Sequence, residues 1–143
     1  MPGEAILIID DNPANQKLAR ITLSLEGFVV RTAEDAMEAT ALLEQFMPDL
    51  ILMDIQLPDM DGLELTRRFK ASSTTGHIPI VAMTAYAMKG DEQRILAAGC
   101  DGYIPKPINV GLLPTLVRGH LRKRKGSTVT RGAPANQRLN RDT

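Results

Sequence analysis

Four short apolar runs, each ending beside a residue able to do chemistry, constrain this chain more than any other feature. They are Ala5-Ile6-Leu7-Ile8-Ile9, Leu50-Ile51-Leu52-Met53, Ile80-Val81-Ala82-Met83 and Gly102-Tyr103-Ile104. Runs this short and this continuously apolar read as strands buried on both faces. Asp10 and Asp11 follow the first, Asp54 the second and Thr84 the third, and Lys106 follows the fourth after Pro105. In a parallel sheet those ends share one edge. Three carboxylates, a hydroxyl and an ammonium would then converge, a set suited to holding a divalent cation and a phosphoryl group together.

The intervening segments carry helical punctuation. Asn12-Pro13 is an N-cap followed by proline at the first helical position, where its missing N–H costs nothing. Leu18, Ile21, Leu23 and Leu25 supply an apolar face to that helix, and Gly27 ends it. Phe28-Val29-Val30 reads as a further strand. Residues 35–47 read as a helix with Ala36, Ala39, Leu42, Leu43 and Phe46 inward. Asp61-Gly62-Leu63-Glu64 has the cap-and-Glu spacing of another helix start, and residues 72–77 form a polar loop. A strand over 78–83, a helix over about 87–98 closed by Gly99, a strand over 102–105 and a helix from Asn109 to about Lys125 complete the pattern. Pro114 should make the first turn of that last helix irregular.

Five strands, each followed by a helix, predict an α/β fold: a doubly wound (βα)5 three-layer sandwich with right-handed crossovers. Ligands of such open sheets bind beyond the carboxyl ends of the strands. Topology and chemistry therefore select the same edge.

At 143 residues, 43% apolar, with two Tyr, three Phe and no Trp, the chain is long enough for one aliphatic-cored domain. No apolar run approaches the roughly 20 residues that span a bilayer, and Met1-Pro2-Gly3-Glu4 is not a secretory leader. A single cysteine, Cys100, excludes an internal disulfide framework and suits a reducing cytoplasm; it reads as a small core residue. The net charge of zero conceals an asymmetry. Residues 1–117 hold 9 Lys/Arg against 16 Asp/Glu, whereas residues 118–143 hold 8 Lys/Arg and one Asp. The expected division is a folded domain over 1–125 and a basic, disordered tail over 126–143, since the tail has no apolar period with which to offset its ordering entropy.

Asp10, Asp11 and Asp54 brought together would repel unless a positive charge sits among them. Mg²⁺ is the natural answer, because it takes one or two carboxylates and completes its shell with water and phosphate oxygens. Asp54, nearest the middle of the sheet, is the best placed nucleophile, and carboxylates do form acyl-phosphates. Lys106 would neutralise charge on the equatorial oxygens of the transferring group, and Thr84 would hydrogen-bond one of them. His77 and His120 are sequence-distant from this cluster and read as loop and helix residues.

The combination Asp10-Asp11-Asn12, Met53-Asp54-Ile55-Gln56-Leu57-Pro58-Asp59-Met60-Asp61-Gly62, Thr84-Ala85 and Tyr103-Ile104-Pro105-Lys106-Pro107 resembles the receiver domain of bacterial two-component response regulators. The resemblance covers roughly residues 5–122 and is nearest to the single-domain regulators of chemotaxis and cell division. It implies a flavodoxin-like sheet in the order 2-1-3-4-5. It further implies that Asp54 accepts a phosphoryl group from a histidine kinase or phosphotransfer protein. Asp11 and Asp54 would bind Mg²⁺ directly, Asp10 through water, and the Gln56 backbone carbonyl would complete the protein ligands. Lys106 would contact the phosphoryl group, Thr84 and Tyr103 would form a switch, and a cis bond before Pro107 would aim Lys106 at the site. A downstream protein would engage the face of strand 4, helix 4, strand 5 and helix 5, where Met88 and Lys89 lie.

The leading expectation is a phosphorylation-switched interaction module, not an enzyme beyond its own phosphorylation and dephosphorylation. The stretch after the last helix is too short for an output domain. One alternative is an anionic-surface or nucleic-acid binder acting through the basic tail, which lacks aromatics and disperses its charge. Another is a Mg²⁺-dependent phosphatase, a family that needs Asp-x-Asp at the first strand where this chain has adjacent Asp10-Asp11.

Overall fold

The computed structural model describes residues 3–85 and 89–129. Five strands, β1 (Ala5–Ile9), β2 (Val29–Ala33), β3 (Leu50–Asp54), β4 (Ile80–Thr84) and β5 (Gly102–Pro105), form one parallel sheet in the order β2-β1-β3-β4-β5. They alternate with α1 (Pro13–Leu25), α2 (Ala36–Leu42), α3 (Gly62–Ala71), α4 (Lys89–Ala97) and α5 (Leu113–Val129). The expected doubly wound (βα)5 architecture and strand order are both present.

Side chains of successive strand residues point to opposite faces, and the apolar runs divide accordingly into two cores. Leu7, Ile9, Ile51, Met53, Ile80 and Ala82 pack beneath α2, α3 and α4, meeting Ala39, Leu65, Phe69 and Ile95. Ile6, Ile8, Leu50, Leu52, Val81 and Met83 face α1 and α5, meeting Ala19, Leu23, Val117 and Leu121. Burial on both faces is why these strands show no polar alternation.

Helix ends follow local chemistry. Asn12 caps α1, its Oδ1 accepting from the Asn15 N–H at 3.0 Å, with Pro13 at the start. Gly27 and Gly99 adopt φ of +96° and +106°, the left-handed conformation in which glycine carries no Cβ penalty. α2 is shorter than expected. After Leu42 the Glu44 and Gln45 amides bond three residues back, to Ala41 and Leu42, so the last turn tightens before Pro48. α5 starts at Leu113, which leaves Pro114 in the first turn where its lost N–H is harmless. It continues to Val129, past the expected end at Lys125, because the Arg-Lys-rich stretch favours helix and a lone Gly126 costs only about 1 kcal/mol. The rest of the expected tail, 130–143, lies outside the described residues, as do Ala87 and Met88.

The apolar face expected for α1 holds at Leu23 and fails at its three companions. The apolar face of α1 that meets the sheet is Ala19 and Leu23, whereas Leu18, Ile21 and Leu25 are exposed, Leu25 to 81%. At 3.6 residues per turn the two stripes lie roughly 150° apart around the helix. The packing of Leu23 sets which stripe turns inward. Leu23→Ala should therefore cost about 2–5 kcal/mol in urea unfolding, and Leu25→Ala less than about 0.5 kcal/mol.

Candidate functional site

The parallel register builds the site. Ile9 pairs with Met53, Asp54 with Met83, and Thr84 with Pro105. Asp10 thus leaves the sheet beside Asp54, and Lys106 one step past Thr84. One carboxylate oxygen from each of Asp10, Asp11 and Asp54 lies within 4.8 Å of the others. Asp10 and Asp54 are 1% and 3% exposed, while Asp11 reaches solvent.

Each buried carboxylate has one oxygen pinned by backbone. Asp10 Oδ1 accepts from the Asn12 N–H at 2.9 Å, and Asp54 Oδ1 from the Gln56 N–H at 3.0 Å. The other oxygens face Lys106, whose Nζ lies 3.2 Å from Asp54 Oδ2 and 3.6 Å from Asp10 Oδ2. Lys106 is itself held by its N–H, which donates to the Thr84 carbonyl at 2.7 Å. The Lys106–Pro107 bond is cis, as the resemblance implied. Thr84 is buried, and Tyr103 is half-buried against the core under α2, α3 and α4. His77 and His120 stay out of the cluster: His77 is exposed, and the His120 ring lies against Gly102.

The arrangement is electrostatically unfinished. Burial raises the Asp54 pKa above its ordinary value, the Gln56 N–H and the Lys106 ammonium oppose that rise, and Asp10 adds to it. One ammonium serves two buried carboxylates and a third at the rim. Three hard oxygen donors within one small volume, with too little positive charge among them, fit Mg²⁺.

Two contacts that frame the site escaped the sequence reading. The Asp59 carboxylate accepts from the Ala36 and Met37 N–H groups at 2.9 and 3.1 Å, fastening the β3–α3 loop to the start of α2, and these bonds hold its pKa low. No local pattern signals a cap donated from 23 residues away. Gly62 presses α3 onto the end of β3 so closely that a Cβ would sit 2.2 Å from the Asp54 carbonyl oxygen. The glycine was visible in the motif, but its role as a close approach was not. At α3, Asp61 caps the Leu63 N–H at 2.8 Å as expected, whereas Glu64 turns away to Arg67 and Arg68.

A five-stranded 2-1-3-4-5 sheet with this acid–lysine cluster at its carboxyl edge defines a class of phosphoacceptor signalling domain, and the similarities to known proteins agree. Residues 6–118 match the response regulator receiver domain family. The polar-differentiation response regulator DivK of Brucella anthropi is 42% identical over 118 residues, which cover 82% of this chain and 96% of DivK. The chemotaxis response regulator CheY4 of Vibrio cholerae superposes with a TM-score of 0.76 at 31% identity, covering 81% of this chain and 98% of its own. The receiver domain of the Pseudomonas aeruginosa sensor histidine kinase PA1611, solved with a magnesium ion coordinated in its active site cleft, superposes with a TM-score of 0.74 at 34% identity, over 87% and 99% of the two chains. This chain belongs to the response regulator receiver domain family, the signalling modules of two-component systems. Among the described residues no helix is long and apolar enough to cross a membrane.

The sign of the Asp54 shift gives a pH expectation for the metal-free protein. A raised folded-state pKa means that the fold binds this proton more tightly than the unfolded chain does. The Asp54 contribution to stability therefore falls as pH rises from the ordinary aspartate value through the raised one. In EDTA at neutral pH, Asp54→Asn should melt a few degrees above wild type by calorimetry, and the gap should close as pH is lowered toward 4.

Proposed function

We propose that this protein is a receiver of the single-domain regulator type that takes a phosphoryl group onto Asp54 from a histidine kinase or phosphotransfer protein. The observation that carries the reading is the Lys106 ammonium within 3.6 Å of both Asp10 and Asp54, on a carboxylate pair almost wholly removed from water. A Mg²⁺ ion held by Asp11, Asp54 and the Gln56 backbone carbonyl, with Asp10 acting through water, would supply the charge needed to bring an anionic phosphoryl group onto an anionic nucleophile.

An oxygen of Asp54 attacks phosphorus in line, the phosphorus–nitrogen bond of the donor phosphohistidine breaks, and the imidazole nitrogen leaves with the bonding electron pair. The Gln56 N–H on Oδ1 fixes the plane of the attacking carboxylate. Lys106 neutralises charge gathering on the equatorial oxygens. Thr84, at the end of β4, then hydrogen-bonds a phosphoryl oxygen, and Tyr103, on the neighbouring β5 beside Ala82, turns inward to follow. A downstream protein reads that change on the β4–α4–β5–α5 face. The exposed Leu18, Ile21 and Leu25 stripe on α1 supports a separate docking surface for the phosphodonor, since α1 starts directly after Asp10 and Asp11. The module catalyses only its own phosphorylation and dephosphorylation, in the cytoplasm.

Incubation with a labelled phosphohistidine donor and Mg²⁺ should load wild type to near one phosphoryl per chain and leave Asp54→Asn unlabelled. Equal labelling of the variant would place the chemistry elsewhere. Lys106→Ala should slow loading by about 10²-fold or more, the scale of one lost charge-stabilising group. Removing Mg²⁺ with EDTA should stop loading, and the free metal should bind wild type but not Asp11→Asn in calorimetry. Sustained multiple turnover of a phosphate monoester would favour the phosphatase alternative.

A further inference from the structure

Away from the acid cluster, a cavity of about 980 Å³ opens between α2 and α3. Its floor is apolar, with Leu43, Leu65 and Phe69, and two methionines flank it, Met37 and Met47, exposed to 76% and 45%. Methionine is the side chain that best adapts to an incoming apolar group. The surroundings are acidic. Residues 32–66, which build β3, all of α2 and the start of α3, contain nine Asp/Glu and no Lys or Arg. Glu44 and Asp59 stand at the rim. Among the described residues lining the cavity the only cation is Arg68, and it lies 3.4 Å from Glu64.

The occupant that fits is written in the same chain. Residues 130–143, outside the described residues, contain Arg131, Arg138 and Arg141 against Asp142 alone, and one large aliphatic residue, Leu139, set among the arginines. We propose that this basic segment docks intramolecularly in the α2–α3 groove, with Leu139 between Met37 and Met47 and its arginines against the acidic rim.

The topology allows the reach. In a parallel βα sheet every helix runs back to the amino edge of the strands. The cavity residues Met47, Ser72 and Thr75, which follow α2 and α3, therefore lie toward the edge at which α5 ends. Among the described side chains Leu121 is the last of α5 in the core, and the helix continues for eight residues, about 12 Å, beyond it. From Val129 to Leu139 is ten residues, about 33–36 Å when extended. That matches the width of a domain whose radius of gyration is about 13–14 Å. Docking therefore uses the tether close to full extension, so the hold on the groove rests on the leucine and the charges rather than on a high effective concentration. Asp59 lies at the rim and also fastens the β3–α3 loop to α2, so an occupied groove bears directly on the loop that leads away from Asp54.

The test is made on the full chain. A nitroxide is attached at Asn140→Cys, Cys100 being buried, with Cys100→Ala as a background control. The readout is the ¹³C-methyl resonances of the methionines, with Met83, in the opposite core, as an internal reference. Expected are Met37 and Met47 signals broadened at least about twofold more than Met83 at low salt, with the difference shrinking at high ionic strength. The difference should vanish in Leu139→Ser combined with Arg138→Glu. Uniform broadening, or broadening unchanged in that double variant, overturns the proposal. Broadening that survives when label and ¹³C-methionine are on different molecules also overturns it, because the groove would then take a second copy. None of these readouts depends on phosphorylation.

Discussion

Two carboxylates buried side by side, with one ammonium between them, are the constraint on which the rest of this receiver depends. Neither Asp10 nor Asp54 could sit beneath the surface without the Asn12 and Gln56 amides and Lys106 to offset lost hydration. Every contact that fixes those partners is therefore part of the site. The Lys106 amide on the Thr84 carbonyl joins β5 to β4, and the close seat of Gly62 against the Asp54 carbonyl joins α3 to β3. The domain is organised so that the edge of its sheet stays short of positive charge. A divalent cation among the three carboxylates would relieve that shortage, because its two positive charges offset their mutual repulsion.

Much of this was legible in the sequence, for reasons that are local. Doubly buried parallel strands cannot alternate, so β1, β3 and β4 declare themselves as unbroken aliphatic runs. A parallel sheet puts all carboxyl ends on one edge, so Asp10, Asp54, Thr84 and Lys106 could be placed together before any contact was known. Helix boundaries at Asn12, Gly27, Asp61 and Gly99 followed from caps that act within a few residues.

What escaped was decided by tertiary packing. The α1 helix carries two apolar stripes, and composition cannot say that the smaller one, Ala19 and Leu23, faces the sheet while Leu18, Ile21 and Leu25 face water. The Asp59 cap on α2 spans 23 positions and has no spacing signature. The Glu64 carboxylate has a capping-box spacing yet pairs with Arg67 and Arg68, because two guanidinium groups on the same helix compete with the cap for it.

The division of the strand side chains into two separate cores has an evolutionary consequence. Neighbouring positions along one strand belong to different packing units, so a sheet one residue thick insulates the α1–α5 side from the α2–α4 side. Substitutions that retune recognition on one side need no compensating volume change on the other. Volume changes can therefore accumulate on one side of the sheet while the other side, and the carboxyl edge that both share, keep their packing.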